Sequence, residues 1–203
     1  MEARLLSEER YTIEEYIRLS ENSQEKLEYH DGLIVAMAGA SPAHNRIVTD
    51  LSAYLVTNSD QCRGFNSDQA VAIESQKRYV FPDISFVCDE EDEFDKERFL
   101  KNPSLLIEVL SDKTEKHDRG PKFSWYRSLS SFKEYVLIDS RALRVESFYH
   151  REDGHWDIQN LYLPDQELYF HTLDVSIPLA KIYKRVNLDP DKPFDLLTSS
   201  KDG

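Results

Sequence analysis

Leu105-Leu106-Ile107-Glu108-Val109-Leu110-Ser111 is an apolar run with a single acid at its centre. Together with Ser104 it reads as a β-strand buried on both faces, the pattern of a central strand in a sheet covered by helices. An ionised carboxylate in such a strand is costly unless it is paired or holds a metal, so Glu108 requires a partner. Upstream lies Phe81-Pro82-Asp83-Ile84-Ser85-Phe86-Val87, in which an acid follows a proline at the head of a second β-rich run. Two acids on adjacent central strands form a hard-oxygen site suited to Mg²⁺, which takes one or two carboxylates and keeps several waters. The plainer alternative is that each acid pairs with an arginine or caps a backbone donor.

Between Leu110 and the next apolar run, Glu134–Asp139, the spacing predicts a crossover helix with Asp118 as N-cap and Pro121 in its first turn. Asp118, Lys122 and Tyr126 then share one helix face. An ammonium there can orient a metal-bound water and stabilise charge on a phosphoryl group. The same spacing also fits a surface ion pair of little consequence.

Around this centre the pattern is mixed. Thr12 with Glu15 three residues on is a capping box, predicting a helix from Thr12 to Ser20. His30-Asp31-Gly32 predicts a hairpin turn between Leu27–Tyr29 and Leu33–Ala38. Ser41-Pro42 opens a second helix whose apolar stripe is Ile47, Leu51, Tyr54 and Leu55. Gln69–Glu74 and Tyr79–Cys88 read as strands, and Leu143–His150, Trp156–Leu161 and Leu168–His171 as an antiparallel meander. The expected architecture is an α/β domain with helices around a mixed, curved sheet. It covers residues 1–186, with 187–203 a short flexible tail.

Composition narrows the function. The 203-residue chain carries a net charge of −13, which disfavours a general nucleic-acid coat. Residues Asp112 to Arg151 nevertheless hold nine Lys/Arg against six Asp/Glu, a locally basic middle. The acidic run Asp89–Asp95 reads as a solvated loop. Cys62 and Cys88 lack metal-ligand spacing and are expected as reduced thiols in a cytoplasmic protein. No apolar run is long enough for a membrane span, and the charged N-terminus carries no secretory signal. With six glycines there is no dinucleotide or Walker fingerprint, and no Ser/His/Asp spacing implies a triad.

Pro82-Asp83, Ile107–Ser111 (IEVLS), Thr114–Lys122 (T-x-x-x-D-R-G-x-K) and Glu134–Asp139 (EYVLID), in that order, resemble the Uma2 family, and TIEEYIRL, LEYHDGLI and the Ser41–His44 helix start extend the likeness. The resemblance implies a restriction-endonuclease-like core of the PD-(D/E)xK nuclease superfamily and Mg²⁺-dependent hydrolysis of DNA, with Mn²⁺ able to substitute. Residue by residue, it implies that Asp83, Glu108 and the Val109 carbonyl bind metal. The superfamily lysine stands two residues after the acid, where this chain has Leu110. The resemblance places that role on Lys122, sent in from the following helix. Glu28 matches an upstream acid of many members, and His44, Asp118 and Arg119 would support the site or touch substrate. A catalytically silent binding module on the same fold is the alternative. Aromatic-rich strands late in the chain (Phe148-Tyr149, Trp156, Tyr162, Tyr169-Phe170) further lead us to expect a homodimer.

Overall fold

In the computed structural model, residues 4–188 are described apart from Ala38, residues 90–93 and Glu97. The heart of the acidic run and the tail beyond residue 188 lie outside the described residues. After a short strand β1 (Arg4–Leu5), helix α1 (Ile13–Asn22) opens on the expected capping box. The Thr12 hydroxyl accepts the Glu15 N–H, and the Glu15 carboxylate accepts that of Thr12. The hairpin β2 (Leu27–His30) to β3 (Leu33–Ala36) turns at Asp31 and Gly32, whose φ angles of 49° and 96° suit a two-residue primed turn. Helix α2 (Pro42–Asn58) starts at Ser41, whose hydroxyl accepts the His44 N–H, and buries Ile47, Leu51 and Leu55.

The stretch read as one strand from Tyr79 to Cys88 is two. β4 (Arg63–Asn66) and β5 (Val71–Ile73) precede β6 (Arg78–Val80), and β7 (Ile84–Val87) begins only after Asp83. Pro82 has no N–H to give a ladder, and at that break the chain changes sheets. A five-stranded sheet runs β1-β3-β2-β6-β5. The six-stranded sheet, completed by β8 (Leu105–Leu110), β9 (Glu134–Asp139), β10 (Val145–His150) and β11 (Trp156–Leu161), runs β11-β10-β9-β8-β7-β4. Within it β8 and β9 are parallel and every other pairing is antiparallel.

All six residues of β8 are buried, as the apolar run requires. Leu105, Ile107 and Val109 enter the core under α2, while Leu106 and Leu110 enter the core on the opposite face. Each such side chain contributes roughly 1.5–3 kcal/mol on burial. By strand alternation Glu108 shares the second face, with Tyr126 and the crossover helix.

Three expectations change. Leu168–His171 does not extend the meander: β12 (Glu167–Phe170) pairs with β13 (Val175–Pro178) in a separate two-stranded sheet. The crossover helix begins before Asp118. α3 (Glu115–His117) runs into a π-helical turn, Asp118–Lys122, and then α4 (Phe123–Tyr126). Asp118 is thus an interior residue and no cap, and Pro121 falls in the widened turn, the place where a missing N–H is tolerated.

Third, Cys62 and Cys88 are not free thiols but form a disulfide, with Cα atoms 4.3 Å apart. The cause is register: β4 pairs with β7 so that Arg63 faces Val87, which sets the two cysteines opposite each other. Nothing local in the sequence signals a pairing across 26 residues. Closing a loop of that length constrains the unfolded chain by about 3 kcal/mol. Unfolding by urea with and without a dithiol reductant should differ by about that amount, and native protein should show no titratable thiol.

Glu134, wholly buried at the start of β9, pins the turn before β13 by accepting the N–H groups of Thr172 (2.8 Å) and His171 (3.1 Å). Burial nevertheless pushes its carboxyl from 4.5 up to about 7, against those donors. A raised folded value means that its contribution is complete below about pH 4.5 and is lost as pH climbs towards 7. Denaturation curves across this window should show Glu134→Gln gaining on the wild type, by at most about 1.4 kcal/mol per pH unit.

Candidate active site

Lys122 lies at the end of the π-helical turn with its side chain only 5% exposed. Its ammonium is 3.0 Å from Glu108, 3.5 Å from Asp118 and 3.8 Å from Glu28. It also donates to the Phe81 carbonyl at 3.5 Å. The surface ion pair entertained from sequence is therefore a buried cluster. The helix delivers Asp118 and Lys122, β8 delivers Glu108, and β2 delivers Glu28 from the other sheet.

Each acid is held differently. Glu108 Oε1 accepts both the ammonium and the Tyr126 hydroxyl, the latter at 2.8 Å. Glu28 Oε1 accepts the Phe81 N–H at 3.0 Å, and its Oε2 lies 2.9 Å from His30 Nε2. Asp83, at the break between β6 and β7, accepts the Val109 N–H at 2.7 Å and meets His44 Nε2 at 3.1 Å through the same oxygen, Oδ2. Its side chain is 17% exposed against 3% for Glu108 and Asp118, so the cluster opens to solvent on the Asp83–His44 side.

The electrostatics follow from three carboxyl groups sharing one fixed ammonium, with Asp83 close enough to act on Glu108 and Asp118. Burial alone would push Lys122 down, but Glu108, Glu28 and Asp118 together hold it well above its ordinary value. Burial acts on Glu28 too, yet Lys122, His30 and the Phe81 N–H overcome it and bring the carboxyl down to about 2. Glu108 goes the other way despite its contact with Lys122: burial raises it far above the carboxylate range, and Asp118 and Asp83 add to the effect. Asp118 is raised as well, chiefly by burial. One ammonium does not offset the burial of all three acids around it. Glu28 keeps its charge, and the Glu108 side of the pocket needs a proton or a cation.

That need is the observation on which a metal can be tested. Among the described residues no three His, Cys, Asp or Glu side chains converge as a ready-made metal cage. The donors at hand are the carboxylates of Asp83 and Glu108 and main-chain oxygen beside them. This set fits Mg²⁺ in its two-carboxylate, water-rich mode and does not fit zinc.

Of the residues singled out from sequence, Asp83, Glu108, Lys122, Glu28, His44 and Asp118 come together, with Val109 giving its N–H to Asp83. Arg119 points elsewhere, to Glu115 at 2.8 Å and to Glu146. Sequence reading missed His30, although strand alternation from Glu28 places it on the same face. His30 stacks on His117, and Trp125 meets both edge-on at 5.0 and 5.1 Å, closing the wall between β2 and the crossover helix. Burial and the nearby ammonium push His117 down to about 4, so it is neutral at pH 7.

A mixed sheet with a buried acid–lysine cluster at a strand break defines a restriction-endonuclease-like α/β protein. The chain belongs to the Uma2 family, described as "Putative restriction endonuclease", whose profile it matches over residues 13–180. Two Synechocystis relatives, the uncharacterized proteins slr1290 and sll1609, are 35% and 33% identical over 173 and 167 residues. These alignments cover 84% and 81% of this chain, and 90% and 94% of the relatives. The crystal structure of a putative nuclease of the DUF820 group from Anabaena variabilis shares the fold, with a TM-score of 0.70 at 16% identity over 85% of this chain and 97% of that one.

Lys122→Ala leaves Glu28, Glu108 and Asp118 buried without their cation, a change that costs about 3–5 kcal/mol. Because Glu28 is held near 2 by that cation, its stabilisation is present above pH 4.5 and lost as pH falls towards 2. Urea unfolding should therefore separate wild type from variant widely at pH 7 and much less at acid pH.

Proposed function

We propose that this protein is a Mg²⁺-dependent endonuclease that hydrolyses DNA phosphodiester bonds, with Mn²⁺ able to substitute, acting as a homodimer. One observation carries the reading: the Lys122 ammonium reaches the Glu108 carboxylate from the following helix at 3.0 Å. This contact supports Lys122 in the role that the strand residue Leu110 cannot fill.

On this reading Asp83, Glu108 and the Val109 carbonyl would hold the metal. When bound, the ion supplies Lewis-acid polarisation of the phosphate and a water of lowered pKa. The protein's own groups do the rest. His44 and the Val109 N–H hold Asp83 in place. Tyr126 fixes the Glu108 oxygen that faces Lys122. Glu28 keeps Lys122 protonated and clamps Phe81, which anchors the Pro82-Asp83 break. The ammonium orients the attacking water and stabilises the added negative charge as water attacks phosphorus and the 3′-oxygen leaves. Substrate would enter from the side of Asp83 and His44, the more exposed side chains of the cluster.

The −13 charge and the apolar Leu110 favour the second reading, a silent nucleic-acid-binding module. Incubating the protein with plasmid and with single strands, in Mg²⁺ and in Mn²⁺, separates the two. Cleavage is expected from the wild type, and its complete absence with either ion gives the silent module. Asp83→Asn should abolish Mn²⁺ uptake in calorimetry while leaving the circular dichroism unchanged, and unaltered affinity removes Asp83 from the site. Folded Lys122→Ala should cleave about two to four orders of magnitude more slowly with nearly wild-type metal affinity. Arginine at this position should not restore the rate, because its planar fork does not replace a compact charge.

A further inference from the structure

Most of the late aromatic residues that prompted the dimer expectation are already used inside the chain. Phe170 is fully buried, and Phe148 and Trp156 pack on Phe123 in the core beneath the crossover helix. What remains open is the edge strand. β11 has β10 on one side, and among the described residues no hydrogen bond from another element reaches its outer side. Its six residues pair one-to-one with β10, so there is no bulge, and it contains no proline and no lysine. These are the devices by which edge strands avoid pairing with another chain. The opposite edge, β4, is guarded: it is four residues long, begins at Arg63 and is tethered to β7 by the disulfide.

We propose that β11 pairs antiparallel with β11 of a second copy of this chain, so that one sheet runs through both. The symmetry limits the register. A two-fold axis normal to the sheet keeps the helix-covered faces on one side, and residues that face each other must then share strand parity. Centring the axis on Ile158 sets Ile158 opposite its own copy, Trp156 opposite Asn160, and Asp157 opposite Gln159. The strand's one charge then meets a neutral carboxamide, whose Nε2 can donate to it across the seam. Ile158 is 57% exposed although it lies on the face of Phe148 and Trp156, so the pairing also covers an apolar overhang. Centring on Gln159 instead would set Asp157 opposite Leu161 and forgo the polar match. A contact of one six-residue edge is small, so the association is expected in roughly the micromolar range.

Sedimentation equilibrium of the full chain from low micromolar to sub-millimolar concentration tests this. The expected result is a reversible shift from 23.7 kDa to twice that mass. Ile158→Lys, a change at an exposed position, puts like charges on the axis and should raise the dissociation constant about tenfold. Because Cys62 and Cys88 are bonded to each other, Ile158→Cys supplies a single thiol. Under mild oxidation it should form a disulfide-linked dimer, whereas Asp157→Cys, set two residues out of register with its own copy, should not. A wild type that stays at 23.7 kDa throughout overturns the proposal. So does an Ile158→Lys variant that dimerises as well as the wild type, or an Asp157→Cys variant that cross-links as fast as Ile158→Cys. None of these readouts depends on nuclease activity.

Discussion

Among the described residues, the ammonium of Lys122 is the cation at the centre of a pocket built from both large sheets and the helix between β8 and β9. Glu28 comes from the five-stranded sheet, Glu108 from the six-stranded sheet and Asp118 from the helix, and each lies within 4 Å of it. A buried ion pair is weak evidence for stability, since desolvation offsets much of its Coulomb energy. Its consequence here is geometric. Three elements that could slide over one another as apolar surfaces are tied to a single point charge.

Two irregularities of the backbone follow from that point. The chain leaves the first sheet at Phe81-Pro82-Asp83 and enters the second at Ile84, and Glu28 and Lys122 grip Phe81 by its N–H and its carbonyl. A continuous strand could not turn Asp83 toward Val109 while also presenting Phe81 to Glu28. The π-helical turn has the same character. The widened loop from Asp118 to Lys122 brings both side chains to the pocket wall, while Tyr135 anchors it by donating its hydroxyl to the Asp118 carbonyl at 3.0 Å. Departures of this kind from regular geometry concentrate at functional sites.

How much of this was legible in the sequence depended on how local each signal was. Glu108 stood out because an acid in a two-faced apolar strand has no inexpensive solution, and Lys122 with Tyr126 followed from helical spacing. Capping at Thr12 and Ser41 and the turn at Asp31-Gly32 are short-range chemistry, and the structure has all three. The disulfide, by contrast, exists because β4 and β7 align, and alignment between distant strands leaves no mark on either cysteine. Leu168–His171 shows the same limit, for its apolar alternation says that it pairs but not with which strand. Asp118 failed as a cap because an acid beside a helix start reads identically whether it faces solvent or a lysine four residues on. His30 was hidden in a turn motif although its neighbour Glu28 had already been noticed.

The chain's excess negative charge and the pocket's own acids pose the same problem for the reading proposed here. A phosphate is repelled on average by a protein of charge −13, and the four carboxyls add to that repulsion where the phosphate would have to sit. The pocket relieves it in two stages. Glu28 spends its charge on Lys122 and His30, leaving an ammonium whose field reaches Glu108. Burial, with Asp118 and Asp83 beside it, pushes the Glu108 carboxyl well above its ordinary value, so that side of the pocket favours a proton or a cation over a bare charge. On the reading proposed here, a proton and a divalent cation would compete for this carboxyl, and a cation in place of the proton would lower the repulsion that an incoming phosphate meets. Position 110 shares the strand face of Glu108, and here Leu110 fills it as part of the apolar core while the ammonium comes from Lys122 on the following helix.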